Sequence, residues 1–198
     1  ACGSKSDDAQ DNNDDAQQTA GQPIEGGTFV YAIEEPITSL NWYNNNSTDL
    51  GKQVFSNLYD PMWKNNADGS LDYRLAKNVD ISEDGTTYTL TLRDDIYWSD
   101  GEKITTDDIV FTLDTLVEPE GAPSTASGYK VDGEFCSYEK VSDTEIVFTI
   151  GRASNLFKKA LGALYVLPAH CFEGVAATEV LTCEQNDTIA TSGAFVVD

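Results

Sequence analysis

The sequence predicts an α+β fold, in which a mixed β-sheet is flanked by helices. Tyr88, Leu90 and Leu92 alternate with threonines over residues 87–92, and this period of two is typical of a strand with one buried face. The predicted strands occur in runs that helices interrupt, which is the order that indicates an α+β arrangement. A polar N-terminal segment leaves about 170 residues, which suffice to enclose one good hydrophobic core.

Turn and capping residues mark where several of these elements begin and end. Asp84-Gly85 and Asp100-Gly101 are turn dipeptides, because glycine tolerates a positive φ and aspartate bonds its own backbone. Thr105 and Asp108 have the spacing of a capping box, in which each side chain bonds the backbone N–H of the other residue. They predict a helix that begins near residue 106.

Hydrophobic periodicity and chain breakers place the elements in order along the chain. Three breakers, Pro119, Gly121 and Pro123, end the pattern after the capped helix. The predicted elements are a strand near 28–33, a helix near 50–58, a β-rich block to about 97, a helix over 106–117, a loop over 118–128, strands near 135–141 and 144–150, a short helix near 155–161, a helical turn after Pro168 and a final strand over 194–197.

The charge of the chain excludes one class of partner. The formal net charge is −22, with 12 Lys and Arg against 34 Asp and Glu. Nucleic-acid binding requires a basic face that neutralises phosphates, so we expect no nucleic-acid partner. No apolar run approaches the roughly twenty residues that a membrane-spanning helix needs.

Motifs for catalysis and metal binding are absent from the sequence. His170 is the single histidine, so neither an HExxH motif nor a histidine pair is available. No G-x-S-x-G elbow, Walker loop or GxGxxG is present. We therefore expect no enzymatic activity, no cofactor and no metal site.

Three cysteines follow the N-terminal segment, namely Cys136, Cys171 and Cys183. In an oxidising compartment they predict one disulfide and one remaining thiol. Cys171–Cys183 is the preferred pair, because the segment between them contains Gly174 and could loop back. The other two pairings, and three unpaired buried thiols, stay open.

An ordered set of short motifs carries a family resemblance. Leu75-Ala76, Asp84-Gly85, Arg93, residues 98–101 and Asp107-Asp108 follow one another over about forty residues. Matching segments also lie at 26–32, 38–41, 54–60, 144–150, 166–170 and 192–195. The set resembles the family 5 extracellular solute-binding proteins of ABC importers, which include oligopeptide, dipeptide, nickel and some oligosaccharide binders.

The resemblance implies a periplasmic-binding-protein-like clamshell of two lobes, of which this chain would be the N-terminal part. Residues 1–25 would be a disordered tether and 26–56 the start of the first lobe. Residues 57–190 would form a small β-rich subdomain, and 191–198 would be a strand that returns to the first lobe. A second lobe is expected to follow Asp198.

The N-terminus predicts the compartment. Ala1-Cys2-Gly3-Ser4 resembles the end of a bacterial lipoprotein signal, with Cys2 as the residue that accepts the lipid. The alternative is a stray surface cysteine. With the anchor, the protein would lie on the outer face of the bacterial plasma membrane, extracellular or periplasmic, and would touch the membrane only through that lipid.

Two loops are the candidates for ligand contact. The first carries Trp42, Tyr43, Asn44, Asn45, Asn46 and Ser47, whose amides and rings suit a polar peptide backbone. The second carries Ser124, Ser127 and Tyr129. The resemblance implies that both face the ligand, whereas the plain alternative is two ordinary surface loops.

The resulting hypothesis is the substrate-binding component of an ABC importer, a monomer that captures peptides and delivers them to permease subunits. A nickel-complex or oligosaccharide binder of the same family is an alternative. A structural or adhesive surface domain and an envelope hydrolase are alternatives from other classes. Most of the ligand's second wall would lie beyond Asp198, so we expect the 198 residues alone to bind weakly or not at all.

Overall fold

A computed structural model describes residues 26–28, 30, 32, 37, 39–45, 49–117 and 124–197. The chain divides into two compact units, Ala1–Ala32 and Ile33–Asp198. The described residues of the first unit, 26–28, 30 and 32, are exposed and are not assigned to a strand. The strand predicted near 28–33 stays a prediction, because its other residues lie outside the described ones. The predicted tether over 1–25 and its lipid-accepting Cys2 lie outside the described residues. The predicted boundaries at 26, 57 and 191 stay a prediction.

The second unit is built from short helices and strands, which confirms the α+β class. Its helices are α1 (Trp42–Asn45), α2 (Asp49–Leu58), α3 (Thr106–Val117) and α4 (Asn155–Gly162). Its strands are β1 (Trp63–Asn65), β2 (Leu71–Tyr73), β3 (Ala76–Ile81), β4 (Thr87–Leu92), β5 (Lys130–Val131), β6 (Glu134–Phe135), β7 (Ser137–Lys140) and β8 (Glu145–Thr149). Three 3-10 turns span Ser124–Tyr129, Ala169–Phe172 and Glu184–Asp187. No helix among the described residues has the length and apolar character needed to cross a membrane.

A four-stranded antiparallel sheet in the order β3-β4-β8-β7 forms the centre of the unit. On β4, Tyr88, Leu90 and Leu92 are buried while the threonines between them are half-exposed, which confirms the predicted alternation. Tyr88 pairs with Phe148 and Leu90 with Ile146 across β8, so apolar side chains meet on one face of the sheet. The pairs β1-β2 and β5-β6 form two smaller sheets.

The turn and cap predictions hold with one change of partner. Gly85 and Gly101 have φ of +71° and +94°, values that favour glycine. The Thr105 N–H donates to the Asp108 carboxylate at 2.9 Å, as predicted. The Thr105 hydroxyl, however, accepts from the Asp107 N–H at 3.2 Å and not from that of Asp108. The Thr105 side chain therefore caps the N–H of Asp107, whereas the capping-box pattern predicts the N–H of Asp108.

Two predicted strands differ from the structure. The strand predicted near 135–141 is divided into β6 and β7, because Cys136 lies between them and its N–H donates to Tyr129 O. Residues 194–197 form no strand. The chain there lies against the end of α2, where the Gly193 N–H donates to Leu58 O at 2.8 Å and the Phe195 N–H to Asn57 O at 3.3 Å.

Candidate functional site

Five aromatic residues, Trp42, Tyr43, Trp63, Tyr129 and Tyr165, meet around the C-terminal end of α4, and we call them the aromatic cluster. The Trp42 ring stacks on Tyr165, with ring centroids 3.6 Å apart and an angle of 24° between the planes. The Tyr43 hydroxyl donates to Tyr165 O at 2.8 Å. The Tyr129 hydroxyl donates to Ala160 O at 3.1 Å. Side chains from two separate segments, residues 42–43 and Tyr129, thus hold the segment 160–165 in place.

The two predicted ligand loops meet within this cluster. Burial raises the pKa of Tyr43 well above its usual value, and the neighbouring Tyr129 raises it further. Burial likewise raises the pKa of Tyr129. Both hydroxyls therefore stay protonated and serve as donors to buried carbonyl groups. The structure brings Tyr43 and Tyr129 together as internal supports rather than as exposed groups.

The first loop has both buried and exposed members. Trp42 and Tyr43 are 8% and 6% exposed. Asn44 is exposed, and its side-chain amide donates to Ser39 Oγ at 3.1 Å and to Leu181 O at 2.8 Å. Asn45 ends α1, and the remaining predicted residues, Asn46 and Ser47, lie outside the described residues. Ligand contact by this loop stays a prediction.

The second loop folds as the 3-10 turn Ser124–Tyr129. Ser124 and Ser127 are exposed, and the Ser127 hydroxyl donates to Ser124 O at 2.8 Å. Tyr129 is 3% exposed, so its ring offers almost no surface to a ligand in this arrangement. Of the three residues predicted in this loop, Ser124 and Ser127 are the two that solvent reaches.

A surface pocket of about 280 Å³ lies beside the aromatic cluster. Its walls come from β1 and its neighbour Pro61, and from the segment after α4: Pro61, Trp63, Lys64, Asn65, Ala163 and Tyr165. Strand β1 pairs only with β2, so its other edge has no strand partner among the described residues. The buried Trp63 Nε1 likewise has no hydrogen-bond partner among them. The pocket thus combines aromatic side chains with the unpaired edge of a short strand.

The charges around the pocket are mixed. Lys64 is the only charged residue among the six that line it. Burial raises the pKa of Tyr165, and the nearby Asp60 carboxylate raises it further. A cation and an anion thus lie near the same pocket, which suits a ligand that carries charges of both signs.

The close contact between Gly162 and Trp63 shapes the pocket. A Cβ at Gly162 would lie 2.4 Å from Trp63 Nε1 and 2.5 Å from Cε2. Replacing a helical glycine by alanine normally gains up to about 1 kcal/mol, whereas overpacking costs about 1–3 kcal/mol. We expect Gly162→Ala to lose a net 1–2 kcal/mol, about the difference of these two effects, and to shift the fluorescence of the displaced indole.

Urea denaturation followed by tryptophan fluorescence measures both changes. Gly151→Ala is the matched control, because nothing lies within 4 Å of a Cβ there and its backbone is not left-handed. A stabilised Gly162→Ala protein would contradict the close packing of the indole on α4.

The predicted disulfide is not formed. Cys136, Cys171 and Cys183 are all free thiols. The Cys183 Sγ donates to Val180 O at 3.3 Å, whereas the Cys171 Sγ lies near the side chains of Asp100 and His170. Because each sulfur has its own polar neighbours, the Cys171–Cys183 prediction is wrong for this structure. Burial raises the pKa of the Cys136 thiol to about 12.

The sequence patterns singled out neither Tyr165 nor Trp63 as a ligand contact. The signal for Tyr165 is weak, because it stands in an apolar run between Leu164 and Val166. Only the fold places its ring over Trp42 and beside β1.

The α+β unit has the fold of the periplasmic-binding-protein-like class, because solved solute-binding proteins of that class match it over about four fifths of this chain. The sequence model described as "Bacterial extracellular solute-binding proteins, family 5 Middle" matches residues 70–198. The chain therefore belongs to the family 5 bacterial extracellular solute-binding proteins, as the motif set predicted.

Individual relatives agree with this assignment. The chain is 27% identical over 190 residues to the oligopeptide-binding protein AppA of Bacillus subtilis (strain 168), covering 94% of this chain and 33% of the relative. The structure of the ABC transporter substrate-binding protein CtaP from Listeria monocytogenes matches with a TM-score of 0.69 and 29% identity, over 78% of this chain and 30% of that one. NikZ from Campylobacter jejuni, solved in complex with Ni(L-His), matches with a TM-score of 0.66 and 27% identity, over 81% and 31%. The chain thus spans about a third of the length of the relatives it matches.

Proposed function

We propose that this chain is part of the substrate-binding component of an ABC importer, which captures peptides outside the membrane and delivers them to permease subunits. The family match over residues 70–198 carries the proposal. The similarity to an oligopeptide-binding protein over 94% of the chain favours peptides as the solute class. Binding and delivery, without catalysis, is the role that this family assignment supports.

The pocket supplies the chemistry that a peptide requires. An extended peptide satisfies its backbone groups along a free strand edge and places side chains against apolar walls. The open edge of β1 offers the first, and the Tyr165 ring offers the second. Lys64 would attract a peptide carboxylate in a chain whose net charge is −22.

The remaining predictions belong to the same proposal. The polar residues Asn44, Asn45, Asn46 and Ser47 would add contacts beside the pocket, and Ser124 and Ser127 would contribute from the second loop. Residues 57–190 would act as the small subdomain and 191–198 as the return to the first lobe. Cys2 would carry the lipid that holds a monomer at the cell envelope.

The indole N–H signals of the three tryptophans test the peptide site directly. Titration with a mixture of tripeptides to pentapeptides is expected to shift the Trp63 signal in a two-dimensional NMR spectrum at millimolar peptide. The signal of Trp98, which lies near His170 and is not among the residues that line the pocket, serves as the internal control. Lys64→Ala is expected to weaken the response severalfold. An unchanged Trp63 signal, or an equal shift of Trp98, would contradict the proposed site.

A nickel complex is the second candidate ligand, because the NikZ match is with a protein solved in complex with Ni(L-His). The same titration with Ni(L-His) separates the two solute classes. A response of Trp63 to the nickel complex at a lower concentration than to any peptide would replace the peptide proposal.

A further inference from the structure

The side chains of Asp100, His170 and Cys171 come together at a partly exposed place, and none of them lines the pocket. One ligand atom from each lies within 4.8 Å of the other two. The His170 Nε2 and the Asp100 Oδ2 are 2.8 Å apart. We propose that these three residues form a binding site for a borderline-soft divalent cation, with Zn²⁺ as the ion that their chemistry fits best.

Hydrogen bonds to neighbouring backbone groups fix the two turns that carry the three residues. Asp100 lies in the turn that Gly101 allows, and its Oδ1 accepts from the Glu102 N–H at 3.2 Å. This bond leaves Oδ2 directed at His170. His170 and Cys171 are consecutive on the 3-10 turn Ala169–Phe172, and the Cys171 N–H donates to Pro168 O at 3.0 Å.

A second anchor fixes the 3-10 turn from α3. The Ala169 N–H donates to the buried Asp108 carboxylate at 2.9 Å. The position of Cys171 and His170 therefore depends on the cap of a helix that is distant in sequence. Preorganised ligands lose little entropy on binding a metal, which is the condition for a site of useful affinity.

The ligand set suits zinc. Zn²⁺ binds thiolate at about 2.3 Å, imidazole at about 2.0–2.1 Å and carboxylate at about 2.0–2.2 Å, in tetrahedral geometry. Such a site places the sulfur and the imidazole nitrogen about 3.5 Å apart. Small side-chain rotations complete it, since ligand atoms within 4.8 Å of one another need to approach by at most about 1.3 Å, whereas the His170 and Asp100 atoms, 2.8 Å apart, need to separate by about 0.6 Å. The side chains of His170 and Asp100 are 31% and 43% exposed, which leaves room for a fourth, solvent ligand.

The electrostatics favour a cation at this place. The Asp100 carboxylate lies 2.8 Å from the His170 ring nitrogen, and the Asp108 carboxylate is close enough to act on the Cys171 sulfur. Two carboxylates beside these ligands, in a chain whose net charge is −22, attract a cation. Zinc would replace the thiol proton, which passes to solvent, and the Zn–S bond would form in its place.

The sequence alone does not predict this site, because its three ligands are not close together along the chain. His170 and Cys171 are adjacent, but Asp100 is 70 positions away from His170, and zinc motifs are read from short spacings between cysteine and histidine. The sequence analysis predicted no metal site because it counted one histidine and found no such spacing. The fold supplies the third ligand.

Cobalt titration of the 198-residue chain tests the proposal, because Co²⁺ replaces Zn²⁺ and gives a near-ultraviolet charge-transfer band only when a thiolate is bound. The band is expected with the wild-type chain, is expected to be lost in Cys171→Ser, and should be displaced by Zn²⁺. His170→Asn and Asp100→Asn should each weaken binding by at least about tenfold. Cys183→Ser, Cys136→Ser and Cys2→Ser are the matched thiol controls and should keep the band.

A second measurement guards against misfolded variants. Zn²⁺ is expected to raise the melting temperature of the wild-type chain but not that of Cys171→Ser, whose metal-free melting curve should match the wild type. Zn²⁺ should also shift the indole signal of Trp98, whose ring centroid lies 6.3 Å from that of His170, and leave the signal of Trp63 unchanged.

Absence of the cobalt band, or its persistence in Cys171→Ser, would overturn the proposed site. The contact would then be only a hydrogen bond between Asp100 and His170. Neither result bears on the peptide proposal, because that proposal is tested by the change of the Trp63 indole signal on addition of peptides.

Discussion

Replacing Gly193 by alanine is expected to destabilise the protein by about 3 kcal/mol, the upper end of the usual cost of overpacking. A Cβ at Gly193 would lie 2.5 Å from Asn57 O, 2.7 Å from Leu58 C and 2.8 Å from Tyr59 N. All three are backbone atoms at the end of α2, so the clash cannot be relieved by the rotation of a side chain. Residue 193 cannot move away from α2 without breaking the hydrogen bond from its N–H to Leu58 O, which is 2.8 Å long.

The measurement is the free energy of unfolding from urea titration, together with the melting temperature. For a chain of this size each kcal/mol corresponds to about 2–4 °C, so the variant should melt roughly 6–12 °C lower. Gly151→Ala is the control and should stay within about 0.5 kcal/mol of the wild type, since a Cβ there meets no atom within 4 Å. Equal stability of the two variants would show that residues 192–195 are not packed on α2 in solution.

The same segment joins several distant parts of the fold. The Ser99 N–H donates to Thr191 O at 2.8 Å, and the Thr191 N–H donates back to Ser99 Oγ at 3.0 Å. Ser192 Oγ accepts from the Asp60 N–H at 3.2 Å. Residues 190–193 therefore connect the turn that carries Asp100 with the end of α2. A disturbance at Gly193 should reach the proposed zinc site through this connection.

The local patterns in the sequence predicted the elements whose causes are local. The alternation over β4, the glycine turns at Gly85 and Gly101, and the start of α3 each depend on residues a few positions apart. Periodicity, turn chemistry and capping are short-range effects, so the chain itself contains the information. The strand over 194–197 was predicted by the same kind of pattern and is not formed. A strand needs a partner, and a local pattern does not supply one.

The candidate sites could be predicted from local sequence patterns even less well than the strands. Trp42 and Tyr43 were chosen for their chemistry, but the fold uses them to hold 160–165 in place. Trp63 and Tyr165 line the pocket because β1 and the end of α4 are neighbours, which no spacing along the chain reveals. The family resemblance identified the scaffold correctly, since scaffold residues are the ones its motifs contain.

Asp108→Ala has the second largest expected effect, a loss of about 2–3 kcal/mol. The Asp108 carboxylate is 4% exposed and accepts from two backbone groups, the N–H of Thr105 and that of Ala169, each at 2.9 Å. Alanine would leave both donors without a partner, at about 1–3 kcal/mol for each fully buried group. Relief of the buried charge offsets part of this loss.

Acidity should change the size of this loss in a defined direction. Burial raises the pKa of Asp108 above its ordinary value of 3.8, and the hydrogen bonds from Thr105 and Ala169 only partly oppose it. The folded state then binds the proton more tightly than the unfolded state, so the contribution of Asp108 is full below pH 3.8 and declines as the pH rises through the folded-state pKa. Asp108→Ala should therefore be more destabilising, relative to the wild type, in acid than at neutral pH.

Asp107→Ala separates this buried role from an ordinary surface charge. Asp107 is exposed on the same helical turn and pairs with Lys140 at 2.7 Å, so its removal should cost about 0–1 kcal/mol. Asp108→Ala should also weaken Co²⁺ binding, because the Ala169 bond holds the turn that carries His170 and Cys171. Asp107→Ala should not. Equal stability in urea and equal cobalt affinity of Asp108→Ala and Asp107→Ala would show that the cap of α3 does not position the metal ligands. Their arrangement would then depend on the contacts of residues 190–193.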